Sequence, residues 1–445
     1  MATRLEQVQH AANQGNWSQL SQYLQQFFKE EGAGAFHSEM ELDLLLSFAL
    51  AVLDAGEFQD RWEVARVFPQ FGTAAIAPLL SRLQDEDADL EVRWFAARIL
   101  GEFNHPTVID ALVSLLQSSQ DEDLNAMAAE ALATIGVPAI GHLTALLDQP
   151  ASRLPAVRSL AQIHHPATIS PLLSIASQPQ LQSEVRAVAI DALSSVADPR
   201  IPPVLVKALN DPAAPARKAA ISALSGCFDQ LEHLDLVALL ADRLWDVHLE
   251  VCQKTAIALG RLGTDAAATV LWRGLTSPQT PPALQLDIVR AFGWIGSATA
   301  LDYLQQALNL LGQSDLNRPV YQETVHVIGQ WTTASLQSQA TQILIDALSS
   351  HHSPIQHPEV KQAIALALGQ LGHTQAIDPL VHLLAEENFG VKLHAIAALK
   401  SLNSQLAYQR LQALAASEQL SEPLQQGIAI ALQEWELSGD SLSDE

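Results

Sequence analysis

Apolar residues recur along this chain at steps of three and four, and the pattern as a whole recurs too. The segments EVRWFAARILGEF (91–103), EVRAVAIDALSSV (184–196), EVCQKTAIALGRLG (250–263), EVKQAIALALGQLG (359–372) and GVKLHAIAALKSL (390–402) are variants of one line. Take the residue after the leading valine as position 0. Positions −1, +3, +7 and +10 are then apolar, and because each helical residue turns by about 100° they share one face. Position 0 is held by Arg61, Arg93, Asn125, Arg153, Arg186, Arg217, Cys252, Gln285, Tyr321, Lys361, Lys392 and Gln425, at a mean spacing of about 33 residues. Position +7 is apolar in every copy, from Phe68 and Leu100 to Leu399 and Leu432. Position +3 is often alanine (Ala96, Ala128, Ala156, Ala189, Ala220, Ala395), small enough to let a neighbouring helix approach.

A second amphipathic run precedes each of these, as in AAIAPLLSRL (74–83), TVIDALVSLL (107–116) and QAIDPLVHLL (375–384), separated by acidic or proline-containing turns. The unit is helix, turn, helix. One such pair cannot bury its own apolar face, so the pairs must stack. The pattern predicts an all-α protein: an α-solenoid, or superhelix, of about twelve HEAT-like helix pairs over residues 56–437, with an N-terminal helical cap over 1–55. Breaks in the cap are expected at Gly15–Asn16 and Glu31–Gly34. Residues 438–445 read as a short acidic, disordered tail. Two turns, 311–319 and 349–359, are long and polar, and as insertions on one edge of a stack they are expected to project together.

Composition narrows the function classes. Of 445 residues 5% are aromatic, and 49 Asp+Glu face 24 Lys+Arg for a net charge of −25. Phosphate neutralisation needs a clustered basic excess, so nucleic acid and anionic membrane are excluded as partners. The longest apolar stretch, 44–53, is far shorter than the roughly 20 residues a bilayer requires. Two cysteines, Cys227 and Cys252, make no disulfide framework and fit a reducing, cytoplasmic setting.

The turn aspartate followed by V-R-x-x-A-x-x-A-L, clearest in DEDADLEVRWFAARILGEF (85–103) and NDPAAPARKAAISALSG (210–226), resembles the HEAT-like repeats of the E/F-type phycobilin lyases and lyase-like proteins of cyanobacteria. The resemblance covers about 380 residues. It implies a protein acting in maturation of a cofactor-bearing, phycobilisome-type protein, either as a scaffold for a phycobiliprotein client or as a lyase or isomerase attaching a linear tetrapyrrole to a client cysteine. A transient phycobilin is then the only cofactor implied. A third possibility is a non-catalytic adaptor for an iron–sulfur carrier protein. Deoxyhypusine hydroxylase, another relative, holds two irons with His-Glu dipeptides; this chain has no His-Glu pair.

In such solenoids the second helices line the concave face, so their non-core positions +1, +5 and +9 are the candidate partner-binding set: Trp62, Arg66, Trp94, Arg98, Glu102, Arg158, Asp191, Arg290, Trp294 and His326. Tryptophan and arginine are favoured at protein hot spots. Arginine can also clamp propionates and tryptophan stack on a chromophore. Plain Arg–Glu bridges between adjacent repeats explain the same pattern, and the residues leave the three readings open. Tryptophan is expected beside arginine on the same helix, in Trp62–Arg66 and Trp94–Arg98. At position 0 the spacing of Asp87 to Arg93 and Asp211 to Arg217 suggests turn acids facing the bases of their own repeat. Cys227 and Cys252 fall about 15 Å apart along neighbouring helices, too far to share a bond or a metal. His351, His352 and His357 share one loop but lack a fixed carboxylate or cysteine, so no metal site is assigned.

Overall fold

The computed structural model describes residues 2–31, 38–226, 234–417 and 420–437. Among them every regular element is a helix, and the stacked helix pairs form an α-solenoid. Cys227, the Glu31–Gly34 break beyond Glu31 and the acidic tail lie outside the described residues. The chain divides into two compact units, residues 1–223 and 224–445.

In the first unit the second helices Phe58–Ala65, Leu90–Leu100, Glu122–Ile135, Arg153–Gln162 and Ser183–Leu193 pack successively, each on the next, while the first helices form the other layer. In the second unit Leu249–Leu262, Pro282–Ile295, Arg318–Gly329, Pro358–Leu371 and Phe389–Ala415 repeat that arrangement. Trp17–Glu31 packs on both Glu39–Ala55 and Phe58–Ala65, burying Leu20, Leu24 and Phe27. Glu39–Ala55 itself pairs with Phe58–Ala65 in the manner of a first helix. Gly15, at φ +62°, makes the turn between Ala2–Asn13 and Trp17–Glu31.

Three positions of the predicted stripe form the core, while +10 is buried in some copies, such as Phe103 and Ile163, and half-buried in others, such as Ile135, Val196 and Leu262. Positions −1 and +3 are buried in every repeat, from Asp60 and Val64 to Leu424 and Ile428, and +7 is buried in all but Leu432 of the last. The buried arc is wider than the stripe, because +4 and +6 are buried as well in nearly every copy.

The +3 alanines are fully buried in the stack, and a further close approach between second helices accompanies them. It is made at position +8, where a glycine faces position +6 of the next second helix. A Cβ on Gly101 would lie 2.9 Å from the Ala131 Cβ, one on Gly260 2.9 Å from Ala291, and one on Gly369 3.0 Å from Ala398. The first two are shorter than real Cβ contacts and the third is tighter than nearly all of them, so the spacing of the second helices depends on those missing side chains.

Position 0 has a different job from the one its spacing suggests. Its side chain reaches back to backbone carbonyls at the end of the preceding first helix, which lack a helical partner. Arg93 Nε donates to Leu83 O at 3.1 Å, Asn125 Nδ2 to Ser119 O at 3.1 Å, Arg153 Nε to Leu147 O at 2.6 Å and Arg217 Nη1 to Asp211 O at 2.8 Å. The thiol of Cys252 does the same to Asp246 O at 3.1 Å; burial pushes it above the ordinary thiol value, so it is a packed, unreactive group. The acids that these bases do meet belong to the next repeat, a correction to the same-repeat ladder. Arg186 pairs with Asp211 through Nη2–Oδ1 at 2.6 Å and Nε–Oδ2 at 3.1 Å, Arg61 reaches Asp89 at 3.3 Å and Glu91 at 3.0 Å, and Lys361 reaches Glu386 at 2.7 Å. The bridge runs forward because a turn at the head of one second helix lies beside the head of its predecessor.

Near the end of the chain the alternation changes. Residues expected to form a second helix, a break and a new first helix are one helix, Phe389–Ala415, of 27 residues. The sequence from Lys392 to Ala415 contains neither glycine nor proline to interrupt it. Glu422–Leu437 folds back on that helix and on the turn Leu383–Ala385, where Gly427 sits so close that any Cβ would collide with the Leu384 carbonyl.

Candidate functional site

With −1, +3, +4, +6 and +7 buried, a second helix leaves one narrow arc free: −3, +1, +5 and +9. These positions are one helical turn apart and stand on one face. Arg66, Glu102, Arg158, Asp191, Arg290, Trp294 and His326 are exposed there; Trp62, Trp94 and Arg98 are half-buried.

In the first unit the tryptophans and arginines meet across helices. The Arg98 guanidinium lies 4.0 Å over the ring of Trp62 in the preceding repeat, whereas the expected same-helix pairs Trp62–Arg66 and Trp94–Arg98 do not form. Stacked helices stand roughly 8–10 Å apart, which an arginine spans. Trp62 also stacks on Phe58 at 6.2 Å, and Trp94 turns its ring edge-on to Phe95 at 5.1 Å. Beside Trp94 opens a groove of about 560 Å³, with Phe58, Leu90, Trp94 and Met127 as its apolar lining. Phe58 and Leu90 are 54% and 52% exposed, so about half of each side chain stays open to solvent. Glu91, Asp121, Asp123 and Glu130 supply its polar edge.

In the second unit three expected residues come together. Arg290, Trp294 and His326 line a pocket of about 440 Å³ with Glu323, Gln330 and Trp331. Its charges answer one another. Arg290 Nε donates to Glu323 Oε1 at 2.6 Å and Nη1 lies 3.5 Å from Asp287, and Glu323 holds the guanidinium above its ordinary value. Gln330 Nε2 and His326 Nε2 share a hydrogen bond at 3.0 Å. One group is left over: the indole Nε1 of Trp331, a residue 4% exposed, has no acceptor.

The remaining candidates join neither site. Arg158 pairs with Glu184 of the next repeat at 2.8 Å, a bridge between exposed groups worth about 0–1 kcal/mol. Arg66, Glu102 and Asp191 are exposed and line neither groove.

The two long turns do meet. Ser353 N donates to Gly312 O at 2.9 Å, and the ring of His352 fills the space beside Gly312. The three loop histidines diverge in role. His357 lies between Asp315 at 2.7 Å and Arg318 at 2.7 Å, His352 Nδ1 bonds the buried Tyr321 hydroxyl at 3.1 Å, and His351 is exposed. Among the described residues no three His, Cys, Asp or Glu side chains converge as metal ligands.

The residues that spacing missed had a signal. Phe58 and Leu90 stand at −3 of their repeats, one turn before Trp62 and Trp94, and an apolar residue outside the buried stripe marks a row of its own. Leu249 and Phe389 repeat it at −3, and both are exposed.

The sequence signature of HEAT repeats matches residues 46–133, 76–154, 142–225 and 344–433. The chain belongs to the HEAT-repeat family. Among curated proteins none matches this HEAT-repeat chain significantly. Among known structures it is similar to Kap121p bound to Ste12p, with a TM-score of 0.52 at 14% identity over 96% of this chain and 54% of that one. Kap121p bound to Pho4p gives 0.53 at 14% identity, over 96% and 54%. A homology model of the full-length AP-3 complex in an intermediate open conformation gives 0.53 at 10% identity, over 94% of this chain and 84% of that one. At such identity the likeness is one of fold. The HEAT-repeat chain spans about half the length of Kap121p. Among its described residues no single helix is long and apolar enough to cross a membrane.

Proposed function

We propose that this HEAT-repeat protein is a protein-binding scaffold whose client docks on the free arc of the second helices, with the Trp94 groove as the anchor. The observation that carries this reading is the exposed apolar row Phe58, Leu90 and half-buried Trp94, on a helical arc that packing between repeats leaves uncovered. Large apolar side chains in a pre-formed groove gain from burial, roughly 25 cal/mol per Å², with no loop to order first. Kap121p, whose fold is similar, is itself seen bound to Ste12p and to Pho4p. The test is affinity capture from the source cells with the full chain and its Trp94→Ala variant. The variant is expected to lose the client while keeping native helicity; equal capture by both chains sinks the proposal.

The client's identity is the finer part of the reading. The V-R-x-x-A-x-x-A-L repeat supports a cytoplasmic role in maturing a cofactor-bearing protein, with a phycobiliprotein first and an iron–sulfur carrier second, and the captured protein decides between them. The lyase alternative asks more of the residues. A bilin carries two propionates, and the arginines suited to clamp them are occupied: Arg98 over Trp62, Arg158 on Glu184 and Arg290 on Glu323 and Asp287. Only Arg66 of that set is exposed with no ion pair among the described residues. These residues fit a chromophore poorly and a protein surface well. Purification from bilin-producing cells with an apo-phycobiliprotein present, followed by a visible spectrum, tests the alternative; a covalently tinted client would revive it.

A further inference from the structure

The groove beside Trp94 has a rim of one sign. Glu91, Asp121, Asp123 and Glu130 line it, and no lysine, arginine or histidine does. Local structure accounts for part of that charge. Asp121 Oδ1 caps Glu122–Ile135 by accepting from Leu124 N at 2.8 Å, and one oxygen of Glu91 meets Arg61 at 3.0 Å. It leaves the rest unanswered. Asp123 and Glu130 are exposed with no ion pair among the described residues. An apolar floor of Trp94 and Met127 beneath unneutralised carboxylates matches a side chain with an apolar stem and a cationic head. Lysine and arginine have that shape, and a tryptophan face attracts the cation as well.

We propose that the groove receives a lysine- or arginine-bearing peptide segment of the client, anchored by one apolar residue, with its basic side chains lying across Trp94 and Met127 toward Asp123 and Glu130. This rests on the reading of the free arc as a protein interface and adds the chemistry of the partner. A segment of opposite charge also associates faster and is rejected less often than a neutral one of equal shape.

The experiment uses the full chain and three fluorescent synthetic peptides that share one apolar pattern and carry lysine, glutamine or glutamate at the polar positions. Fluorescence anisotropy is expected to show the lysine peptide binding at least about tenfold more tightly than the glutamine peptide, weakening as salt rises, with no binding of the glutamate peptide. The pair Asp123→Asn and Glu130→Gln is expected to remove most of that advantage. The pair Asp302→Asn and Asp346→Asn makes the net charge less negative by the same amount on exposed sites of the other unit and is expected to leave binding unchanged. Equal binding of the lysine and glutamine peptides overturns the proposal, as does an equal loss in both double variants, which would mark attraction to the chain's overall charge. Equal binding of the lysine and glutamine peptides that Trp94→Ala abolishes would refute the basic partner and leave the interface standing. If Trp94→Ala changes neither peptide binding nor client capture, the interface itself falls.

Discussion

The Trp94 groove of the first unit and the Trp294 pocket of the second are both built on the free arc of second helices, the groove around positions −3 and +1 and the pocket around +5 and +9, yet they end in opposite electrostatic states. In the second, Arg290 is answered by Glu323 and Asp287, and His326 by Gln330. In the first, the lining acids have no lining base. A surface that satisfies its own charges has little to gain from a charged partner; one that leaves them open gains recognition from the partner that brings the counter-charge. The repeat fixes where side chains point, and the neighbours at +1, +2 and +5 decide whether the site is finished.

The largest expected effect tests what joins successive second helices within the first unit. Arg186 and Asp211 are nearly buried, with side chains 3% and 8% exposed. Replacing Arg186 by alanine strands a buried carboxylate and is expected to cost about 3–5 kcal/mol in denaturant unfolding. Arg290→Ala, at an exposed bridge, is expected to cost about 0–1 kcal/mol. Equal losses would erase the distinction between a joint and a surface.

Next in size is the contrast between the two tryptophans. Trp94→Ala is expected to weaken client capture by about 2 kcal/mol or more, the range of a hot spot, and Trp294→Ala by less than about 0.5 kcal/mol. The reverse order would move the interface to the second unit.

Smaller again is Trp331→Phe, which deletes a buried N–H that has no acceptor. Loss of the unmet donor offsets the slightly smaller ring, so stability is expected to change by less than about 1 kcal/mol. A loss above about 2 kcal/mol would mean that the indole has a partner in solution.

The smallest effect is a pH dependence confined to the second unit. Burial against Tyr321 holds His352 below the ordinary histidine value near 6.5. The native state therefore binds fewer protons than the unfolded chain, so its stability is full above about pH 6.5 and declines as pH falls below it. His352→Asn is expected to flatten that decline in melting temperatures measured between about pH 5 and 7.5. An unchanged slope would place the titration elsewhere.

Spacing within one helix was readable from the residues, and spacing between helices was not. The buried stripe, the exposure of Arg66, Arg158 and Arg290, and the meeting of the two long turns follow from periodicity and loop length. Which arginine reaches which tryptophan depends on the step from one helix to the next, so Arg98 crosses to Trp62. The same step sends Arg186 to Asp211 and sets Gly101 against Ala131. The apolar row at −3 was visible in principle, because Phe58 and Leu90 break the stripe, but only the width of the buried arc shows that about half of each side chain stays uncovered.

The 27-residue helix Phe389–Ala415 bears on how the chain comes apart. Elsewhere a break after each helix allows a pair to open without its neighbour, which in hydrogen exchange gives a ladder of local openings. A helix shared by two repeats removes that freedom. Its two halves and the folded-back Glu422–Leu437 must be lost or formed together, so the C-terminal end frays in one large step where the N-terminal helices can leave one pair at a time. A protease meets an all-or-none target there.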